Sequence, residues 1–127
     1  MRFIFLIVAM VVLGGCESMP GYTSEKPFAN SLGMKFVSVK GASVLFSIYE
    51  TRIKDYAAYA AANENVEENW KDSSHELGDA HPVVNVNWYN AKGFCEWLTV
   101  KERSEGKITD KQFYRLPTDA EWSVAVD

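Results

Sequence analysis

Apolar and polar positions along this chain change rhythm every ten to fifteen residues, and each rhythm predicts one short element. The blocks 34–39 ("MKFVSV") and 44–49 ("VLFSIY") are rich in β-branched and aromatic residues. They flank "KGAS", in which Gly41 supplies the positive φ of a tight turn, so the pattern predicts a hairpin. Thr51 is a good helix N-cap. After it Ile53, Tyr56, Ala57 and Ala60 recur at helical spacing, with Arg52, Lys54 and Asp55 on the other face. Residues 63–80 are polar and irregular, and His81-Pro82 leads into a short apolar strand, "VVNV". Asn87 caps a second helix whose buried stripe is Ala91, Phe94, Cys95 and Leu98. Its basic last turn, Lys101 and Arg103, suits the macrodipole, with Gly106 beyond it. Residues 112–116 read as extended. Thr118 and Glu121 then form a capping box that opens a helix at Asp119. The succession of hairpin, helix, strand, helix, strand and helix start is mixed α+β.

The N-terminus follows a different rule. Arg2 precedes an unbroken apolar run, "FIFLIVAMVVL", too short for a membrane-spanning helix of about 20 residues but suited to the core of a secretory leader. The run ends in "LGGC", which resembles the lipobox of bacterial lipoproteins, in which the Cys is acylated and the leader cut away before it. An ordinary secretory leader that happens to contain a Cys is the less favoured alternative. The expected organisation is a lipoprotein signal peptide over 1–15, lipid attachment at Cys16, a Pro- and Gly-containing tether over 16–27, and a domain over 28–127. Localisation would be the bacterial cell envelope, with the outer membrane mildly favoured because Glu, not Asp, follows the Cys.

Composition narrows the partners. The net charge is −4, and no basic run or aromatic-basic interleaving appears, so nucleic acid is not expected as a partner. The two cysteines are Cys16 and Cys95. With Cys16 acylated, Cys95 has no disulfide partner in the chain. A thiol on the apolar stripe between Phe94 and Leu98 reads as core rather than nucleophile. His75 and His81 lie in a loop with Glu67, Glu68, Asp72, Glu76 and Asp79, but their spacing fits no helical ligand pair, and a solvated acidic loop is the favoured reading over a metal site. The four tryptophans, Trp70, Trp88, Trp97 and Trp122, are many for a domain of this size.

Three stretches together resemble the formylglycine-generating enzyme, or sulfatase-modifying factor, family: "NSLGMKFVSVKG", "HPVVNVNWYNAKGFCEWL" and "YRLPTDAEWSVAV". Asn87 stands where the family usually has Ser, and Asp119 where it has Glu. The resemblance implies a variant of the C-type-lectin-like fold. It implies structural roles for Cys95, Trp88, Trp97, Thr118, Glu121 and Trp122, and transfers no catalytic residue. Complete members use copper held by two thiolates to oxidise a sulfatase cysteine to formylglycine, and also bind calcium. The family's "RLPTEAEW" block lies near mid-domain, ahead of the copper and calcium residues. This chain therefore reads as the N-terminal part of such a domain, which would explain a last helix with full start signals and no Gly, Asn or basic turn to close it.

Three functions follow as expectations. One is a truncated or non-catalytic lipoprotein of the family, with no cofactor in this chain. The second is part of a formylglycine-generating oxidase acting on sulfatases. The third is a lectin-like envelope binding module. The partners would be the membrane, through the lipid anchor, and a sulfatase or another envelope protein.

Overall fold

A computed structural model describes residues 12–15, 21–71 and 78–126. Among them, five strands form one antiparallel sheet: β1 (Val12–Gly15), β2 (Phe28–Ala29), β3 (Lys35–Ser38), β4 (Leu45–Ser47) and β5 (Gln112–Arg115), in the spatial order β2-β3-β4-β1-β5. Three α-helices accompany it, α1 (Ile53–Ala62), α2 (Trp88–Ser104) and α3 (Asp119–Val126), with one 3-10 turn at Asn69–Lys71. The architecture is mixed α+β.

The expected hairpin forms, with Phe36 opposite Ser47 and Ser38 opposite Leu45. Gly41 takes φ +90° in its turn, where a Cβ would also press on Val124 of α3 at 3.3 Å. Tyr22, in the segment read as a tether, is tied to this hairpin. Tyr22 N–H donates to Ser38 Oγ at 3.0 Å, Ser38 N–H donates to Tyr22 O at 2.9 Å, and the Tyr22 ring meets Phe28 edge-on.

In α1 the apolar face holds as expected, but Asp55 is not on the open side. It is buried, and its carboxylate accepts from Arg52 N–H at 3.0 Å and from the Arg52 guanidinium at 3.0 and 3.1 Å. Arg52, not Thr51, is the N-cap, and Asp55 satisfies the first turn by reaching back. No strand forms over 83–86. Asn85 adopts φ +62°, which breaks the extended run, while Val83 and Val86 enter the core and Val83 N–H donates to Thr51 O at 2.9 Å.

Helix α2 is capped as predicted: Asn90 N–H donates to Asn87 Oδ1 at 2.8 Å and Asn87 N–H to Asn90 Oδ1 at 2.9 Å. Its stripe of Ala91, Phe94, Cys95 and Leu98 packs with Tyr56, Trp70, Phe36, Leu45 and Tyr114 in the main core. Gly93 lets α1 approach, since a Cβ there would stand 2.5 Å from the Tyr59 hydroxyl.

Strand β1 lies inside the sheet, between β4 and the edge strand β5. Leu13 pairs with Leu45 on one side and Tyr114 on the other, and Val12 with Phe46 and Arg115. Leu13 joins the main core, while Val12 joins a smaller cluster with Val44 and Phe46 on the opposite face, against which Val39, Ala42 and Ala125 pack. Alternation along one short strand thus stitches the two cores together.

Candidate functional site

Of the residues singled out from sequence, Cys95 has the most chemical potential and the least access. It faces the core from α2 and is 2 % exposed. Burial, and secondarily the nearby Glu96 carboxylate, push its pKa up to about 12, so at neutral pH it is a thiol. A thiol in this state neither attacks nor binds a soft metal, because both require thiolate. The copper centre implied by the family resemblance needs two accessible thiolates, and Cys95 does not fit it. Cys16 lies outside the described residues, as do His75, Asp72 and Glu76. His81 is exposed and acts through its backbone, its carbonyl accepting from Ile53 N–H at 2.8 Å. Among the described residues no group of three or more His, Cys, Asp or Glu is placed to hold a metal ion.

Thr118 and Glu121 build the expected capping box. Glu121 N–H donates to Thr118 Oγ1 at 3.1 Å, and Thr118 N–H donates to Glu121 Oε1 at 2.9 Å. The same carboxylate receives a two-pronged bond from Arg115, at 2.6 and 2.8 Å. That bond, with help from Thr118, lowers the Glu121 pKa to about 2. The pair ties β5 to the start of α3. Trp122 is half-buried on α3, and Trp97 is half-buried against Tyr59 and Phe94, with ring centroids 5.6 and 5.9 Å away.

Trp88 is different. It begins α2 at the surface, 42 % exposed, beside Tyr89 at 77 %. The two rings meet edge-to-face at 5.1 Å, and Lys92 Nζ sits 5.2 Å from the Trp88 ring centre. The Asn87–Asn90 box fixes the turn that carries both rings, and Asn85 Nδ2 donates to Asn69 O at 3.3 Å in the preceding loop. Two exposed rings and a cation on a rigid helix start suit a flat or partly apolar ligand group. A separate open cleft of about 410 Å³ is lined by residues including Lys35, Tyr49, Glu50, Arg52 and Pro82. Arg52 there is engaged twice, by Asp55 and by the Tyr49 ring at 5.7 Å, so it anchors the wall.

Sequence reasoning missed Glu102. It is fully buried at the end of α2, where Oε1 accepts from the Tyr114 hydroxyl and Oε2 from Ser31 N–H, both at 2.9 Å. The signal was present: Glu102 falls four residues after Leu98 and so continues the buried stripe. Burial, then the adjacent carboxylate, raise the Tyr114 pKa, which keeps its hydroxyl a donor.

The fold and these positions define a mixed α+β domain in which Cys95, Thr118 and Glu121 serve the scaffold. The chain matches the Sulfatase-modifying factor enzyme 1-like domain family over residues 10–127 and belongs to that family. It is similar to the "Serine/threonine-protein kinase pkn1" of Chlamydia pneumoniae, 47 % identical over 45 residues, which is 35 % of this chain and 5 % of the kinase. The protein of that name from Chlamydia caviae is 44 % identical over a stretch of the same length, again 5 % of the kinase. The "Putative gene 52 protein" of Bacillus phage SP01 is 33 % identical over 66 residues, 48 % of this chain and 42 % of the phage protein. The chain thus spans well under two thirds of each of these relatives. No solved structure matches it significantly. Among the described residues no helix is long and apolar enough to cross a membrane.

Proposed function

We propose that this chain is a lipid-anchored envelope protein whose sulfatase-modifying-factor-family domain, read as a variant of the C-type-lectin-like fold, works as a non-catalytic binding module. Cys95 carries the non-catalytic half: its thiol is sealed in the core and held protonated, so it supplies no thiolate for oxidation chemistry. The binding half is supported by the exposed Trp88–Tyr89–Lys92 face, and the partner would be a sulfatase or another envelope protein. The anchor is supported by the apolar run ending in "LGGC".

Two measurements test this. The full chain, incubated with copper and a peptide bearing Cys-x-Pro-x-Arg, is expected to leave the peptide cysteine unchanged by mass. Copper-dependent conversion would favour the alternative, part of a formylglycine-generating oxidase. Metabolic labelling with a fatty acid should mark the protein and vanish in Cys16→Ser. Labelling that survives the substitution removes the anchor.

A further inference from the structure

Acylation at Cys16 entails cutting the chain after Gly15, and Val12–Gly15 is an interior strand of the sheet, paired to β4 on one side and to the edge strand β5 on the other. Without β1, the facing edges of β4 and β5 each lose a ladder of backbone hydrogen bonds, and both apolar clusters lose the strand that joins them. The space left has a defined shape. Val12 and Leu13 are fully buried on opposite faces, so it takes an aliphatic side chain on each side. The next two positions admit no side chain: a Cβ on Gly14 would stand 2.7 Å from Val44 Cγ1, and a Cβ on Gly15 only 2.4 Å from the Lys111 carbonyl oxygen. The second obstacle is backbone of the turn before β5 and cannot swing aside.

We propose that the channel between β4 and β5 is a strand-acceptor site for one extended polypeptide segment of the pattern aliphatic–aliphatic–Gly–Gly. Val12–Gly15 fills it in the uncleaved chain, and a strand of that pattern from a partner protein fills it after cleavage. Only the second occupancy rests on the lipoprotein reading. Backbone pairing on both edges gives the affinity, and the two glycines give the specificity, as in recognition by strand addition generally. Both pairings of β1 are antiparallel, so the incoming strand runs antiparallel to β4 and β5 alike.

The full chain carrying Cys16→Ser, which retains residues 1–15, provides the test. Its Leu13 and Gly14 amides are expected to resist hydrogen exchange as well as those of Leu45–Ser47, and exchange at the rate of open chain overturns the proposal. Adding Gly15→Val should expel the internal strand. That variant should bind a fluorescent peptide of residues 10–16 (with Cys16→Ser) at least about tenfold more tightly than its parent, whose channel is filled. The same peptide carrying Gly15→Val should bind at least about tenfold more weakly, since overpacking against backbone is seldom absorbed. Equal binding by the two peptides, or by the two proteins, overturns the acceptor site. The exchange measurement needs no glycine variant and decides the matter even if that variant fails to fold. Loss of strand protection with fatty-acid labelling intact removes the channel and leaves the anchor, and the converse result removes the anchor alone.

Discussion

Replacing Glu102 with Ala tests whether a buried carboxylate is a structural hub. Glu102 is fully buried and joins the end of α2 to β5 through the Tyr114 hydroxyl and to the turn between β2 and β3 through Ser31 N–H. The substitution removes two hydrogen bonds to a charged acceptor and leaves the buried Tyr114 hydroxyl with no carboxylate to receive it. Ser31 is exposed, so its N–H can turn to water and recover part of the loss. An orphaned buried group costs about 1–3 kcal/mol and a bond to a charged group contributes about 1.5–3 kcal/mol, so Glu102→Ala should lower stability by about 3 kcal/mol. That is a large share of the roughly 5–15 kcal/mol typical of a domain. Tyr114→Phe removes one bond and should cost about 2 kcal/mol. Replacing both sides with apolar groups, Glu102→Leu with Tyr114→Phe, removes donor and carboxylate together and the desolvation cost of the charge with them. The double variant should therefore lose clearly less than the sum of Glu102→Leu and Tyr114→Phe made singly. Urea unfolding followed by tryptophan fluorescence measures this, read from midpoints at unchanged slope. A loss below about 0.5 kcal/mol in Glu102→Ala, the scale of ordinary surface changes, would refute the hub. So would strict additivity of the pair.

Two further outcomes follow from titratable groups. Glu121 has a folded pKa depressed to about 2, below its unfolded value, so its contribution is present above about pH 4.3 and fades as pH falls toward 2. The urea midpoints of wild type and Glu121→Gln should differ at pH 6 and converge near pH 2, and a gap that does not narrow with acid would rule out the Arg115 pairing as its cause. Cys95, with its pKa raised to about 12, should react slowly with a thiol reagent in native Cys16→Ser protein at neutral pH and fast in denaturant. Rapid native labelling would place the thiol at the surface.

Much of the scaffold is legible along the chain because its causes are local. The 34–49 hairpin, the Asn87 cap with the stripe from Ala91 to Leu98, and the Thr118–Glu121 box each depend on residues within one turn or one strand pair. The family blocks likewise fix membership before any coordinate is considered. Polar residues on buried faces were harder. Periodicity places Asp55 and Glu102 on a helix but does not say what meets them, and their burial depends on Arg52 in one case and on Tyr114 and Ser31 in the other. The strand expected over 83–86 failed for a related reason: the apolar letters mark burial of Val83 and Val86, yet Asn85 turns the backbone between them.

The sequence by itself determined where the second and third helices begin, which positions are apolar, and that Cys95 belongs inside, because caps, turns and side-chain spacing act over a few residues. Only the tertiary structure decided strand order and the use of each buried polar group. Pairing Val12–Gly15 between β4 and β5 joins residues some thirty to a hundred positions apart, a distance over which the local pattern, an apolar run read as a leader, says nothing of strand pairing. The glycines show the difference most plainly. In sequence they are small residues before a cysteine, and in the fold they are the two positions where Val44 and the Lys111 carbonyl leave no room for a side chain.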